Sequence, residues 1–177
     1  MTVPAESLLR LISRAEALLV RLESVLPHPL GAPDWDASIA FRYRRHGGSG
    51  VVEPVRHVAP IRLAALVEVD AQKERLVRNT EQFVAGFGAN NVLLTGARGT
   101  GKSSLIKACL NEFAPRGLRL IEVDKTDLVD LPDIVDLVAE RAQRFIVFCD
   151  DLSFDEGEPG YKEIGRASCR ERVLASV

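Results

Sequence analysis

One eight-residue run constrains this chain more than any other: Gly96-Ala97-Arg98-Gly99-Thr100-Gly101-Lys102-Ser103. It fits G-x-x-x-x-G-K-[ST] at every fixed position. The apolar run NVLLT (91–95) precedes it, and an amphipathic stretch from about 102 to 114 follows. The spacing therefore predicts a strand, a tight turn and a helix. Each residue type has a task in that setting. Glycines permit the dihedrals that turn several backbone N–H groups inward on phosphate oxygens. The helix adds the positive end of its dipole. Lys102 can reach β- and γ-phosphates, and the Ser103 hydroxyl can ligate Mg²⁺. A glycine-rich turn that matched by accident would not bring both flanks with it.

Downstream the alternation continues. LRLIEVD (118–124) reads as a second strand, LPDIVDLVAERA (131–142) as a second helix, and RFIVFCDD (144–151) as a third strand. The third strand is nearly continuous in apolar residues, as strands buried on both faces are. The βαβαβ order implies parallel strands with right-handed crossovers. The expected fold is α/β, a parallel sheet flanked by helices. Just upstream, AQKERLVRNTEQFVAGF (71–87) sets Leu76, Val77, Thr80, Phe83 and Val84 on one helical face. Asp70 is the expected N-cap there, and Gly86 and Gly88 are the expected stops.

The N-terminal third is different. Residues 5–25, ESLLRLISRAEALLVRLESVL, carry leucines at three- and four-residue spacing and predict an amphipathic helix, ended by Pro27 and Pro29. That helix could pack on its own core or dock a partner. From 28 to 60, prolines and the glycines Gly47, Gly48 and Gly50 predict a loop-rich connector with at most short strands. Within it FRYRRHGG sets Arg42, Arg44, Arg45 and His46 around Phe41 and Tyr43. Arginines pair with phosphates and aromatic rings stack on bases, so the patch has the ingredients of a nucleic-acid contact. The acidic neighbours Asp34, Asp36 and Glu53 favour a solvated loop instead. Trp35 either anchors the connector or lies half exposed. The organisation expected is 1–59 as N-terminal helix and connector, 60–162 as the core, and 163–177 as a tail.

A chain of 177 residues, 46% apolar and 27% charged, suits one ordinary domain and excludes wholesale disorder or a fibre. A formal charge of −2 gives no general case for nucleic acid or an anionic membrane. No apolar run approaches the ~20 residues of a membrane helix. Glu6, Arg10 and Arg14 interrupt any signal-peptide core. Cys109, Cys149 and Cys169 lie far apart, which argues against a disulfide framework or zinc site and for a reducing, cytoplasmic setting. Cys109 falls on the apolar helix after the glycine loop and reads as core. His28 and His57 are isolated, with no metal partner at useful spacing.

A phosphate loop needs an acidic residue at the end of a neighbouring apolar strand. Phe145-Ile146-Val147-Phe148-Cys149-Asp150-Asp151 supplies it. Asp150 is the metal-side carboxylate, acting through water, and Asp151 is placed to orient or deprotonate the attacking water. Asp155, Glu156 and Glu158 read as a solvated acidic loop.

GARGTGKSS together with FCDD resembles the Walker A and Walker B signatures of AAA+ P-loop ATPases. ANNVLLTGARGTGKSSLIKA (89–108), LRLIEVDKTDLVDLP (118–132) and RFIVFCDDLSFDEGEPGYK (144–162) look closer to one bacterial branch of that superfamily, ATP-binding proteins of unknown function. IRLAALVEVDAQKERLVRNTEQF resembles the segment that wraps the nucleotide base in AAA+ proteins, so the resemblance covers roughly 60–162. It implies that Gly96, Gly99, Thr100, Gly101, Lys102, Ser103 and Ser104 bind ATP phosphates and Mg²⁺, with Ala97 and Arg98 in the same loop. It assigns the metal to Ser103 and Asp150 and catalysis to Lys102 and Asp151. It further implies a homo-oligomer, because turnover in the family generally needs a neighbouring subunit, and a protein client. Two positions depart from the pattern. Asp151 stands where most AAA+ proteins have glutamate, about one methylene shorter in reach, and Arg98 stands where many have proline.

The same resemblance calls for a sensor residue, an arginine finger and a helical lid after residue 151, none of which the sequence contains. EIGRASCRERV (163–173) instead resembles the in-frame translation of a common sequencing adaptor. The natural product is therefore expected to diverge near Lys162 and to be longer, leaving a sheet edge here without its partner strand. The activity expected is Mg²⁺-dependent ATP hydrolysis by a partial AAA+-like core. The alternatives are a nucleotide-gated binding or scaffold module and a small-molecule kinase. A GTPase is disfavoured because no N-K-x-D motif occurs.

Overall fold

The computed structural model describes residues 5–23, 33–46, 49–97, 99–150 and 173–176. In chain order these form α1 (Ala5–Glu23), β1 (Ala40–His46), β2 (Ser49–Pro54), α2 (Asp70–Val84), α3 (Lys102–Phe113), β3 (Leu118–Glu122), α4 (Leu131–Val138), β4 (Arg144–Phe148) and β5 (Val173–Ser176). Short 3-10 turns at Leu63–Ala65, Ala114–Arg116 and Lys125–Asp130 connect them. The architecture is mixed α/β, one sheet with helices on both faces.

The sheet runs in the order β2-β1-β3-β4-β5. β3 and β4 pair in parallel, Leu118 opposite Arg144 through Glu122 opposite Phe148. β1 also pairs in parallel with β3, Phe41 opposite Ile121. The all-parallel expectation fails at β1–β2, which is antiparallel, Tyr43 opposite Val52. Only Gly47 and Gly48 separate those strands in sequence, and a two-residue connection permits a hairpin but no crossover. The outer edge of β4, expected to lie bare, is paired in parallel with β5, Phe145 opposite Val173. Tail residues 163–172 and 177, and the acidic run Asp155, Glu156 and Glu158, lie outside the described residues.

Strand alternation builds two cores. Leu118, Leu120, Ile146 and Phe148 point to the side covered by α2 and α3, where Leu76, Phe83, Leu105, Ile106, Cys109, Leu110 and Phe113 are buried with them. Ile121, Val123, Phe145, Val147 and Cys149 point the other way, onto Leu131, Ile134, Val135 and Val138 of α4. Both faces of β3 and β4 are thus covered, which explains their nearly unbroken apolar sequence. α3 gives way to the turn containing Pro115, and Gly117 at φ 90° ends it. α1 forms where expected, and its described side chains, Leu9, Leu11 and Leu18 among them, are exposed.

Three local expectations are corrected. FRYRRH is a strand and no loop: Phe41 and Tyr43 are buried on the α4 side, and Arg42 and Arg45 find carboxylates. Arg42 Nη2 donates to Glu122 Oε2 at 2.8 Å, and Arg45 Nη2 to Asp130 Oδ1 at 2.7 Å. These pairs consume two of the charges a nucleic-acid patch would need. NVLLT is extended but makes only an isolated bridge at Val92. Val92 and Leu94 pack on the α2–α3 side while Leu93 stays 59% exposed, so strand-like alternation is present without a ladder to complete it. Asp70 is the first helical residue of α2; Val69 holds the N-cap position with no side-chain cap, and Asp70 pairs with Lys73 instead. Trp35 proves to be an anchor, its ring edge-on to Phe41 and Phe145 at 4.7 and 4.8 Å.

The hairpin is locked by a buried polar cluster. Tyr43 Oη donates to Asp130 Oδ2 at 2.7 Å, and Asp130 is only 8% exposed. Burial, with the adjacent carboxylate, pushes the Tyr43 phenol well above its usual range. Gly50 lies against that ring: a Cβ there would sit 2.6 Å from Tyr43 Cζ. Gly50→Ala is therefore expected to destabilise the fold by about 1–3 kcal/mol through overpacking. Urea titration of the two proteins checks it, and an unchanged midpoint would contradict the placement of Tyr43.

Candidate functional site

The glycine loop joins the extended run 91–95 to α3. Gly99 at φ 81° and Gly101 at φ 82° occupy left-handed backbone that a side chain would strain. Gly101 is the N-cap of α3, and its carbonyl accepts from the Leu105 N–H at 2.8 Å. Inside the loop the Thr100 hydroxyl donates to the Ala97 carbonyl at 2.8 Å. Lys102 Nζ folds back and donates to the carbonyls of Gly96 and Ala97, both at 2.9 Å. Its ammonium is thus held over the loop, supported only by neutral acceptors. Ser104 lies on the first turn of α3, half-buried.

The strand end meets the loop. Asp150 follows β4, and the Ser103 hydroxyl donates to its Oδ2 at 2.8 Å. Residues 47 positions apart thereby set two oxygens side by side. Hydroxyl and carboxylate oxygens are the donors a hard cation such as Mg²⁺ takes. Among the described residues, no group of three or more His, Cys, Asp or Glu could hold a metal by itself. A cation here would draw its other ligands from water and from phosphate, as Mg²⁺ commonly does. The donor set fits it. Arg98 and Asp151 lie outside the described residues.

A cavity of about 590 Å³ opens beside the loop. Gly96, Thr100 and Lys102 line it together with Leu66, Val67 and Glu68. Three side chains with no signal in the sequence organise this surround. Asn79 of α2 holds Asn90 at both backbone groups: its Nδ2 donates to the Asn90 carbonyl at 2.8 Å, and its Oδ1 accepts from the Asn90 N–H at 2.9 Å. Lys73 donates to the carbonyl of Leu66, which lines the cavity, and Asn111 to the carbonyl of Ile61, just upstream of the lining residues. Each contact spans elements distant in sequence or closes on a backbone carbonyl, so no motif announces it.

Two thiols flank this machinery, and neither is suited to nucleophilic work. Cys109 and Cys149 are buried and free. Burial pushes each thiol up to about 11, with Asp124 and Asp150 adding to the effect at Cys149. A thiol whose pKa is higher when folded favours the folded state below its unfolded value near 9 and loses that contribution as pH rises through about 11. Stability is expected to fall between those pH values, and less steeply in Cys109→Ala/Cys149→Ala. Melting temperatures across that range measure it; parallel curves for the two proteins would refute it.

Among the described residues, no helix is long and apolar enough to cross a membrane. Neither a search of curated proteins nor a search of solved structures returned a match. A family model matches residues 36–167, which takes in β1 to β4, the glycine loop and Asp150. Because that match spans more than half of the sequence, the chain belongs to the family described as Protein of unknown function (DUF815).

Proposed function

We propose that this protein binds ATP with Mg²⁺ at the glycine loop and hydrolyses it as the core of an AAA+-type P-loop ATPase. The observation that carries the reading is the 2.8 Å contact between Ser103 Oγ and Asp150 Oδ2, which joins the loop hydroxyl to the acidic strand end. In this reading the backbone N–H groups around Gly99, Thr100 and Gly101 receive phosphate oxygens. Lys102 exchanges the neutral carbonyls of Gly96 and Ala97 for anionic β- and γ-phosphate oxygens, so that both partners of the contact are charged. Mg²⁺ held by Ser103 and Asp150 supplies neutralisation of the charge shared by those oxygens. Asp151 takes the proton of the attacking water. Leu66 and its neighbours pack on the base. A homo-oligomer and a protein client extend the proposal beyond this chain, and the buried free cysteines suit a reducing cytoplasm.

A second reading is a nucleotide-gated binding module with little turnover. Asp151 in place of the usual glutamate favours it, since the shorter carboxylate reaches less far toward water. Binding of ATP and release of phosphate, measured separately with and without Mg²⁺, separate the two. Binding with turnover supports the ATPase, binding without turnover supports the module, and no binding at all refutes both.

A further inference from the structure

Besides the glycine loop, the cavity is lined by residues 65–69, which belong to a segment with little structure of its own. Between Ala59 and Val69 it makes one 3-10 turn, Leu63–Ala65, flanked by extended Arg62 and Leu66. Its internal backbone bonds are local: Ile61 N–H to the Ala59 carbonyl at 2.8 Å, Ala65 N–H to Arg62 at 3.0 Å, and Leu66 N–H to Leu63 at 3.3 Å. Glu68, at φ 62°, is the one non-glycine residue with left-handed backbone among the described residues. A segment so sparsely bonded does not hold a position unaided.

Side chains from two helices hold it. Asn111 of α3 donates through Nδ2 to the carbonyls of Ala59 and Ile61 at 2.8 and 2.9 Å. Lys73 of α2 donates through Nζ to the carbonyls of Leu66 and Leu63 at 2.8 and 3.3 Å. Lys73 is 21% exposed whereas its ion-pair partner Asp70 is 83% exposed. Water screens the ion pair, so the sheltered carbonyl contacts are the ones that fix the ammonium. Leu63 and Leu66 meanwhile pack against the α2–α3 core.

We infer that Lys73 and Asn111 are positioning residues that fasten segment 59–69 as a wall for the nucleoside end of the ligand. Residues 65–69 of that segment line the cavity, and Asn111 holds its upstream end. The inference rests on the ATP reading above and deepens it. Asn111 sits on the helix that begins at Lys102, so the wall is tied to the same rigid element as the phosphate cradle. A wall already ordered need not be ordered at binding, and the affinity gained that way belongs to the part of the ligand that touches the wall. The fasteners therefore govern the advantage of ATP over its bare polyphosphate, while the loop governs the polyphosphate itself.

Calorimetric titration of the full chain with ATP and with inorganic triphosphate tests this. Lys73→Met is expected to weaken ATP by about tenfold and leave triphosphate within about twofold, since two carbonyl contacts are lost far from the loop. Asn111→Ala should show the same split, and Lys73→Arg, which keeps the donors, should recover most of the ATP affinity. Should Lys73→Met not fold, Asn111→Ala carries the comparison. Equal weakening of both ligands, or unchanged ATP affinity in both variants, overturns the inference. Wild-type protein that takes up neither ligand overturns the ATP reading and this inference with it, an outcome visible in the wild-type titration alone.

Discussion

Lys102→Ala is expected to weaken ATP binding by about 2–4 kcal/mol, roughly thirty- to a thousandfold, because charge-assisted contacts to phosphate have no substitute among the described residues of the loop. Among the described residues of the loop, the remaining donors are backbone N–H groups and the Thr100 and Ser103 hydroxyls, which are neutral. The same substitution should leave the fold nearly untouched. Lys102 Nζ bonds only the Gly96 and Ala97 carbonyls, both on the exposed surface of the loop, which water can replace. Equilibrium titration with a fluorescent ATP analogue, run beside a thermal melt, separates the two effects. A variant that binds like the wild type would remove the phosphate role from this loop. A variant that melts far lower would make Lys102 a structural residue instead.

Phe145→Ala is expected to cost about 3–5 kcal/mol of stability, the usual range for emptying a large aromatic site in a core. Phe145 is fully buried, lies on the α4 face of β4, and meets Trp35 edge-on at 4.8 Å and 72°. Trp35 also meets Phe41 of β1 at 4.7 Å, so the ring at 145 supports the residue that ties β4 to β1. In a chain of this size each kcal/mol lowers the melting temperature by roughly 2–4 °C, giving a fall of about 6–20 °C. A loss below about 1 kcal/mol would mean the cavity collapses freely and the three rings are not one packed unit.

The parts of the fold that could be read directly are those whose signal is local. α2, α3, α4, β3 and β4 follow from apolar period and turn residues, because burial on one stripe or on both faces writes itself into the sequence. Pairing does not. NVLLT has the composition of a strand, yet a strand exists only when a neighbour completes its ladder, and the described residues give it one bridge. FRYRRH hides the opposite way. Its charge suggests solvent, while Phe41 and Tyr43, two apart, carry the alternation that puts one side of β1 in the core. Arg42 and Arg45 are tolerated on that strand because Glu122 and Asp130 come to them from residues about eighty positions away. At the candidate site, Ser103 was legible because the glycine motif specifies its chemistry and position, and Asp150 because an acidic residue ends an apolar strand. Lys73, Asn79 and Asn111 were not, since a side chain bound to a remote carbonyl leaves no pattern in its own neighbourhood.

β1 lies between β2 and β3, and that order sets a sequence of events for the folding chain. The β1–β2 hairpin needs only a two-residue turn and can close within microseconds. Its pairing with β3 must wait for everything from Val55 to Gly117 to be gathered in, and closing a long excursion carries an entropic cost that slows non-local strand pairing. The glycine loop sits inside that excursion, while Asp150 arrives with β4 from beyond it. The Ser103–Asp150 contact is accordingly expected to form late, once the sheet has closed around the loop.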